Sequence, residues 1–201
     1  MTAPDTTIFA RDLIEATALR ELLYATDAGD WQAGSAEPWV RNIVGALVQG
    51  NNAQHAVEIG AFQGYTTLEI AYALAGLPGP RRLSVCEIDE ARAQDVLDKL
   101  QREQLDNVDV AVYVKDSHAW IPTLPDASVD FVWLDGNHEK EHVTREIALL
   151  LPKLAPGGII AGHDTHGVCD LQSVFAFYGG YSLDLPRLGP AGGIGLLQRP
   201  R

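Results

Sequence analysis

The segment Ala56–Thr67, AVEIGAFQGYTT, joins an apolar run to a glycine-containing turn and then to a second apolar pattern. Its first residues, up to Ile59, have the composition of a buried parallel strand. Gly60 and Gly64 allow the backbone to turn tightly and to approach a ligand. From Leu68 onward the apolar residues recur at helical spacing. The segment therefore predicts a strand, a ligand-binding turn and a helix, in that order.

The turn departs from the dinucleotide-binding pattern. The second glycine of that pattern lets the backbone approach a pyrophosphate, and Phe62 occupies this position here. We therefore disfavour a nicotinamide dehydrogenase and expect a smaller cofactor. A tight structural turn without a ligand is the alternative interpretation.

The remainder of the chain alternates between strand-like and helix-like segments. Strands are predicted at 55–60, 82–87, 108–114, 129–134 and 157–162, with helices at 65–75, 90–104 and 139–151. Such alternation is typical of an α/β, doubly wound, Rossmann-like and mostly parallel sheet. The late segments Tyr181–Pro186 and Gly192–Gln198 predict an antiparallel hairpin that completes a seven-stranded sheet.

Two further helices are predicted near the N-terminus, at Ile8–Tyr24 and Pro38–Val48. We interpret residues 1–52 as a helical cap and residues 53–201 as the cofactor-binding core of one domain. The loop between the two helices contains Trp31, which either closes over a pocket or packs the helices together. The apolar stripe of the first helix makes a homodimer possible.

Composition narrows the functional classes. The 201 residues, 46% hydrophobic and 21% charged, suit one globular domain. A formal charge of −12, without a basic stripe, disfavours nucleic acid as a partner. Without a signal-peptide pattern or a bilayer-spanning apolar run, we expect a cytoplasmic protein with no membrane partner. Cys86 and Cys169 lack metal-ligand spacing and are interpreted as packing residues.

Polar residues follow the predicted strands, at the sheet edge where ligands bind in open α/β folds. Glu87, after the second strand, is able to accept two hydrogen bonds from a ribose diol, or simply faces water. Asp116 and Ser117 follow the third strand at the same edge. Their residue types are also those preferred at the N-cap of a helix.

Two carboxylates, Asp135 and Asp164, follow the fourth and fifth strands. Carboxylates in one cleft repel each other unless a cation or a proton lies between them, and hard oxygen ligands suit Mg²⁺ or Ca²⁺. We therefore predict a divalent metal centre. The alternative is a metal-free site in which Asp135 contacts the substrate.

Taken together, these features resemble class I S-adenosylmethionine-dependent methyltransferases, and most closely the small catechol-O-methyltransferase-like branch. The resemblance extends from Ala56 to Thr165 through five successive strand ends. It implies S-adenosylmethionine as cofactor, with its methionine moiety at Glu58, Gly60 and Gly64 and its adenine at Asp116 and Ser117. The full cofactor-binding set that we predict is Glu58, Gly60, Phe62, Gly64, Tyr65, Thr66, Glu87, Ile88, Asp116, Ser117, His118 and Asp135.

The resemblance also implies a divalent ion at Asp135 and Asp164, with Mg²⁺ as the first expectation. The family has Asp-Asn at the fifth strand end, whereas this chain has His163-Asp164-Thr165. His163 is therefore the predicted third ligand and Thr165 its alternative. A histidine ligand would favour Mn²⁺, Fe²⁺ or Zn²⁺ over Mg²⁺.

His138 lies three residues after Asp135, where the family carries a lysine that accepts the substrate hydroxyl proton. With an ordinary pKa of roughly 6.5, histidine is able to act as this base. A helix-start histidine that caps or packs is the alternative. His142, one turn further along, is interpreted as a solvated helix residue. The predicted catalytic residues are thus His138 and Asp135.

The resulting hypothesis is a divalent-metal-dependent O-methyltransferase that acts on a small hydroxylated molecule, such as a natural-product or sugar intermediate. A metal-independent small-molecule N-methyltransferase is one alternative. A non-catalytic S-adenosylmethionine-binding module is another.

Overall fold

A computed structural model describes residues 34–103 and 105–201 of the chain. The described residues all belong to one compact unit, which includes the helix after Pro38. The helix predicted at Ile8–Tyr24 and the Trp31 loop lie outside the described residues.

Fourteen described elements follow one another along the chain. They are α1 (Pro38–Gly50), β1 (His55–Ile59), α2 (Tyr65–Ala75), β2 (Arg81–Glu87), α3 (Glu90–Arg102), β3 (Val108–Val114), α4 (Ser117–Trp120), a 3₁₀ turn (Ile121–Thr123), β4 (Val129–Leu134), α5 (Lys140–Leu150), β5 (Leu154–Gly167), α6 (Gln172–Phe177), β6 (Tyr181–Leu183) and β7 (Ala191–Gln198).

The seven strands form one sheet in the order β3-β2-β1-β4-β5-β7-β6. Strands β1 to β5 are parallel, whereas β7 is antiparallel to both β5 and β6. The predicted Rossmann-like sheet with a closing antiparallel hairpin is thus confirmed. Strand order reverses between β1 and β4, which is the position where this type of sheet binds ligands.

Most element boundaries agree with the prediction to within two residues. Strand β5 is longer, since His166 and Gly167 still pair with β7 beyond an irregularity in the register. The six-residue helix α6 was not predicted, and the four-residue helix α4 was anticipated only through the N-cap interpretation of Asp116 and Ser117. Elements of this length are too short to produce a recognisable apolar period.

Helices cover both faces of the sheet. Alternating side chains of β4 show this arrangement, because Phe131 and Trp133 pack with α1, α2 and α3, whereas Val132 and Leu134 pack with α4, α5 and α6. Cys86 is buried on the side of the sheet covered by α4, α5 and α6 and forms no disulfide, consistent with a packing role. Across the described ranges, none of the helices has the length and apolar character needed to cross a membrane.

Candidate active site

A cavity of about 590 Å³ lies at the carboxyl edge of β1, β2, β3 and β4. Its wall includes seven of the predicted cofactor-binding residues, namely Gly60, Phe62, Glu87, Ile88, Asp116, Ser117 and Asp135. His138 also lines it, together with residues that the sequence did not single out, including Arg92, Lys115 and Glu146.

Strand register explains why these residues meet. Ile59 of β1 pairs with Leu134 of β4, and Leu134 pairs with Gly162 of β5. The residues that follow, Gly60, Asp135 and His163, therefore emerge at one level of the sheet edge.

The Gly60 turn and the end of β4 are in close contact. Gly60 has a φ of +83°, and a Cβ at this position would lie 2.4 Å from the carbonyl oxygen of Asp135. The Gly60 N–H donates to Cys86 O and the Asp135 N–H donates to Ile59 O, both at 2.9 Å. A side chain at residue 60 would separate these backbones, so glycine is required.

The carboxylate of Glu87 holds the same turn from the side of β2. Its Oε2 accepts hydrogen bonds from the N–H groups of Ala61 and Phe62, each at 3.0 Å, and its Oε1 accepts one from Asp89, also at 3.0 Å. A carboxylate has about four acceptor positions, so about one is left for a ligand hydroxyl. Glu87 therefore shapes the loop as well as lining the cavity.

Phe62 has a φ of +47°, a conformation that is strained for a non-glycine residue. The Arg92 guanidinium lies 4.7 Å from the centre of its ring, and both side chains line the cavity. The position that would be glycine in a dinucleotide-binding loop is thus a strained aromatic that forms part of the ligand cavity.

Glu58, Gly64, Tyr65 and Thr66 lie outside the cavity wall. Glu58 is fully buried in β1, and neither carboxylate oxygen has a hydrogen-bond partner of good geometry in the described part of the chain. Tyr65 instead packs against the cationic groups of Arg41 and Lys99, with its ring centre 5.2 and 5.8 Å away. The cofactor-binding role of these four residues stays a prediction.

Burial raises the pKa of Glu58 to about 8; the Thr67 hydroxyl opposes the shift, and the charges of Asp135 and Glu87 add to it. Because the folded protein binds this proton more tightly than the unfolded chain, the stability of the wild type should fall as pH rises from about 4.5 to about 8. Glu58→Gln removes the titration. In urea unfolding without cofactor, we expect the free energy of unfolding of Glu58→Gln, relative to that of the wild type, to be larger at pH 8 than at pH 5. The expected increase is more than about 1.4 kcal/mol, the equivalent of one pKa unit. A difference independent of pH would contradict a buried, titrating Glu58.

The third strand end forms a second polar wall. Asp116 is the N-cap of α4 and accepts a hydrogen bond from the Ala119 N–H at 3.2 Å, which confirms the helix-capping interpretation. Ser117 Oγ lies 3.3 Å from His142 Nε2, and His142 Nε2 lies 3.1 Å from Glu146 Oε1. His142 had been interpreted as a solvated helix residue, but its side chain is only 20% exposed and lines the cavity.

The predicted cofactor residue His118 packs behind this wall. Its ring stacks on His142 with ring centres 4.0 Å apart, and its Nε2 lies 3.2 Å from the His142 carbonyl oxygen. It is not part of the cavity lining. These contacts support a role in holding His142 rather than in touching a ligand.

The three predicted metal-binding residues meet beside the cavity. His163 Nδ1 lies 3.2 Å from Asp135 Oδ1 and 3.3 Å from Asp164 Oδ1. Thr165, the alternative ligand, is fully buried and its hydroxyl lies 3.0 Å from His166 Nδ1 instead. The donor set of two carboxylates and an imidazole fits a divalent ion.

His138, the predicted base, belongs to the same cluster. Its Nε2 lies 3.3 Å from Asp135 Oδ1 and 3.5 Å from Asp164 Oδ2. Single ligand atoms of Asp135, His138 and His163 all lie within 4.8 Å of one another. The imidazole of His138 is therefore placed either to bind an ion or to exchange a proton at the cavity wall.

Electrostatics couples the members of this cluster. Burial disfavours protonation of His163, but Asp135, Glu37 and Asp164 outweigh it and hold its pKa well above the ordinary value. The pKa of His138 is also raised, since Asp135 and Asp164 outweigh burial. Burial favours the protonated form of Asp135, yet the two histidines lower the pKa of its carboxyl. Carboxylates and imidazoles thus balance one another's charge.

Sequence reasoning missed two members of the cluster, Glu37 and Cys169. Glu37 Oε2 lies 2.8 Å from His163 Nε2, although 126 residues separate the two. A ligand atom of Cys169 lies within 4.8 Å of those of His138 and Asp164. An isolated acid before Pro38 and an isolated cysteine carry no spacing pattern that would have identified them.

The switch-point cavity, its glycine turn and the polar strand ends define an α/β enzyme fold of the class I methyltransferase type. A methyltransferase-domain family matches residues 57–165, which is over half of the chain. The chain therefore belongs to this methyltransferase-domain family. No curated protein shows significant similarity to it.

Solved structures of other methyltransferases are similar to this chain. The O-methyltransferase TomG from Streptomyces achromogenes, in complex with S-adenosylmethionine, is 20% identical with a TM-score of 0.69, over 96% of this chain and 95% of TomG. An O-methyltransferase from Bacillus cereus, in complex with S-adenosylhomocysteine, is 21% identical with a TM-score of 0.66, over 94% and 96% of the two chains. A methyltransferase from Geobacter sulfurreducens is 14% identical with a TM-score of 0.65, over 99% and 91%.

Proposed function

We propose that this methyltransferase uses S-adenosylmethionine and a divalent metal ion to methylate a hydroxyl oxygen of a small molecule. The observation that carries the proposal is the cluster of Asp135, His138, His163 and Asp164, two members of which, Asp135 and His138, line the switch-point cavity. A cofactor in the cavity and an acceptor at the cluster would then be neighbours.

The cavity residues suit the proposed cofactor. S-adenosylmethionine, when bound, supplies a methyl group on a positively charged sulfur. Glu87 and Asp116 provide carboxylates along one wall, and the Gly60 turn keeps a side chain out of the space near the ends of β1 and β4. TomG and the Bacillus cereus enzyme, which share the fold, are complexes with this cofactor and its product.

The cluster residues suit oxygen as the methyl acceptor. A divalent ion, when bound, polarises an oxygen ligand and orients it. Asp135, His163 and Asp164 would hold the ion, and His138 would accept the hydroxyl proton, since its imidazole lines the cavity with Nε2 3.3 Å from Asp135 Oδ1. Positioning the acceptor in line with the methyl group would be the main contribution of the protein.

A small natural product or a sugar intermediate is the acceptor class that we propose. The formal charge of −12 makes an anionic polymer an unfavourable partner. TomG is involved in tomaymycin synthesis, which places a related fold in natural-product chemistry.

Thermal unfolding with added ligands tests the proposal directly. We expect S-adenosylmethionine and S-adenosylhomocysteine to raise Tm, with a larger rise in the presence of a divalent ion and a smaller one in chelator, while NAD has no effect. Methyl transfer would then be screened against small hydroxylated compounds. No Tm shift with either sulfur compound, from folded protein, would overturn the cofactor assignment. Turnover that persists in chelator would instead support a metal-independent enzyme.

A further inference from the structure

The Glu37–His163 pair lies behind the metal-binding cluster and is nearly sealed from solvent. The two side chains are 2% and 6% exposed, and Glu37 Oε2 lies 2.8 Å from His163 Nε2. Burying a carboxylate is unfavourable unless it is well hydrogen-bonded. The pair therefore needs an explanation beyond packing.

The chain holds Glu37 from two sides. It is the residue before Pro38, where α1 begins, and its Oε1 accepts a hydrogen bond from the Leu188 N–H at 3.4 Å. The neighbouring Trp39 donates from Nε1 to the Pro186 carbonyl oxygen at 3.1 Å. The start of α1 is thus tied to the segment that joins β6 and β7.

This arrangement decides which nitrogen of His163 faces the cluster. In a neutral imidazole one nitrogen is a donor and the other an acceptor. Without an ion, Nδ1 faces Asp135 and Asp164 as a donor; when a metal ion replaces that proton, the Glu37 carboxylate retains the proton at Nε2, which leaves the Nδ1 lone pair for the ion. Metal-binding histidines commonly donate their second N–H to a carboxylate in this way.

The distances between the donor atoms agree with a common ion. Metal–nitrogen and metal–oxygen bonds of about 2.0–2.1 Å place neighbouring ligand atoms about 3.0 to 3.4 Å apart. His163 Nδ1 lies 3.2 Å from Asp135 Oδ1 and 3.3 Å from Asp164 Oδ1. His163 Nδ1 is thus at ligand spacing from each carboxylate, and ligand atoms of Asp135, His138 and His163 all lie within 4.8 Å of one another.

We propose that Glu37 is a positioning residue that presents His163 Nδ1 as a metal ligand, so that the site prefers a first-row transition ion to Mg²⁺. The inference rests on the metal dependence in the proposed function and specifies its chemistry. Imidazole nitrogen suits zinc, iron and cobalt, whereas Mg²⁺ favours oxygen ligands alone.

A second carboxylate–histidine cluster provides the matched control. Ligand atoms of His118, His142 and Glu146 also lie within 4.8 Å of one another, and Glu146 is 1% exposed. However, the two rings are stacked with their centres 4.0 Å apart and 27° between their planes, so their nitrogen lone pairs lie in nearly parallel planes, an arrangement that disfavours convergence on one ion. This cluster should not bind the ion.

Metal titration of the full chain, stripped of ions and without S-adenosylmethionine, tests the assignment. By calorimetry we expect Co²⁺ or Zn²⁺ to bind at least about 10-fold more tightly than Mg²⁺. Glu37→Ala should weaken Zn²⁺ binding by about 10- to 100-fold, and Glu37→Gln by less, since its amide oxygen still accepts the Nε2 proton. Glu146→Gln should leave Zn²⁺ affinity within about twofold. A loss in Glu146→Gln with none in Glu37→Ala would move the ion to the other cluster and overturn the proposal.

Nitrogen NMR of the histidine rings supplies a readout that altered packing alone would not produce. In the Zn²⁺ complex, we expect His163 to show metal-bound Nδ1 and protonated Nε2. A free His163 ring, or coordination through Nε2, would contradict the proposal even if Glu37→Ala binds zinc weakly. Failure of this test with intact S-adenosylmethionine binding would leave the methyltransferase assignment in place and remove only the metal assignment.

Discussion

Asp135→Asn should lower kcat for methyl transfer by about 10²- to 10³-fold, since a correctly placed ion contributes several kcal/mol to the transition state. Asp135 Oδ1 lies 3.2 Å from His163 Nδ1 and 3.3 Å from His138 Nε2, so one substitution weakens both the proposed ion site and the proposed base. The backbone of Asp135, which contacts the Gly60 turn, is unchanged. Binding of S-adenosylmethionine should therefore remain largely intact. Initial rates measure the loss of turnover, and calorimetry measures cofactor binding separately.

Asp126→Asn is the control for this substitution. Its side chain is 73% exposed and pairs with Lys153 on the surface. It removes the same charge without touching the cluster, so turnover should stay within about twofold, because an exposed ion pair contributes little. Turnover near the wild-type level in Asp135→Asn, with metal in excess, would contradict a mechanism centred on this residue.

The meeting of Asp135 and His163 could be predicted from sequence because parallel strands deliver their carboxyl ends to one edge. Short-range patterns, an apolar run followed by a polar residue, were sufficient to locate both. The β1 turn could be predicted for the same reason, since Gly60 and Gly64 mark it locally.

Glu37 could not be predicted because its role depends on a contact across 126 residues of sequence. The same limit applies to Glu87, whose position at a strand end was predicted but whose three backbone donors were not. Those bonds depend on how the β1 turn folds against β2. His142 shows the converse error, because helical spacing alone did not reveal that its face of α5 lines a cavity.

Gly60→Ala should lower the free energy of unfolding by about 3–5 kcal/mol, or prevent folding, because strain and overpacking act together. The new methyl group would lie 2.4 Å from the Asp135 carbonyl oxygen and 2.5 Å from Gly136 Cα, and backbone atoms cannot move aside as a flexible side chain does. Any folded fraction should bind S-adenosylmethionine poorly, since the turn and the Asp135 strand end would be pushed apart. Urea unfolding and cofactor calorimetry measure the two losses.

Gly79→Ala separates conformational strain from the clash at the site. Gly79 has the same φ of +83°, but a Cβ there would meet no atom within 4 Å. Gly79→Ala should therefore lower the free energy of unfolding by only about 1–2 kcal/mol, which is the cost of holding alanine in the left-handed conformation. The variant should bind the cofactor normally. The difference between the two variants measures how much the fold depends on the close approach of β1 and β4 at the switch point. Equal losses in the two variants would mean that this contact contributes nothing, and that the glycine at residue 60 serves the backbone conformation alone.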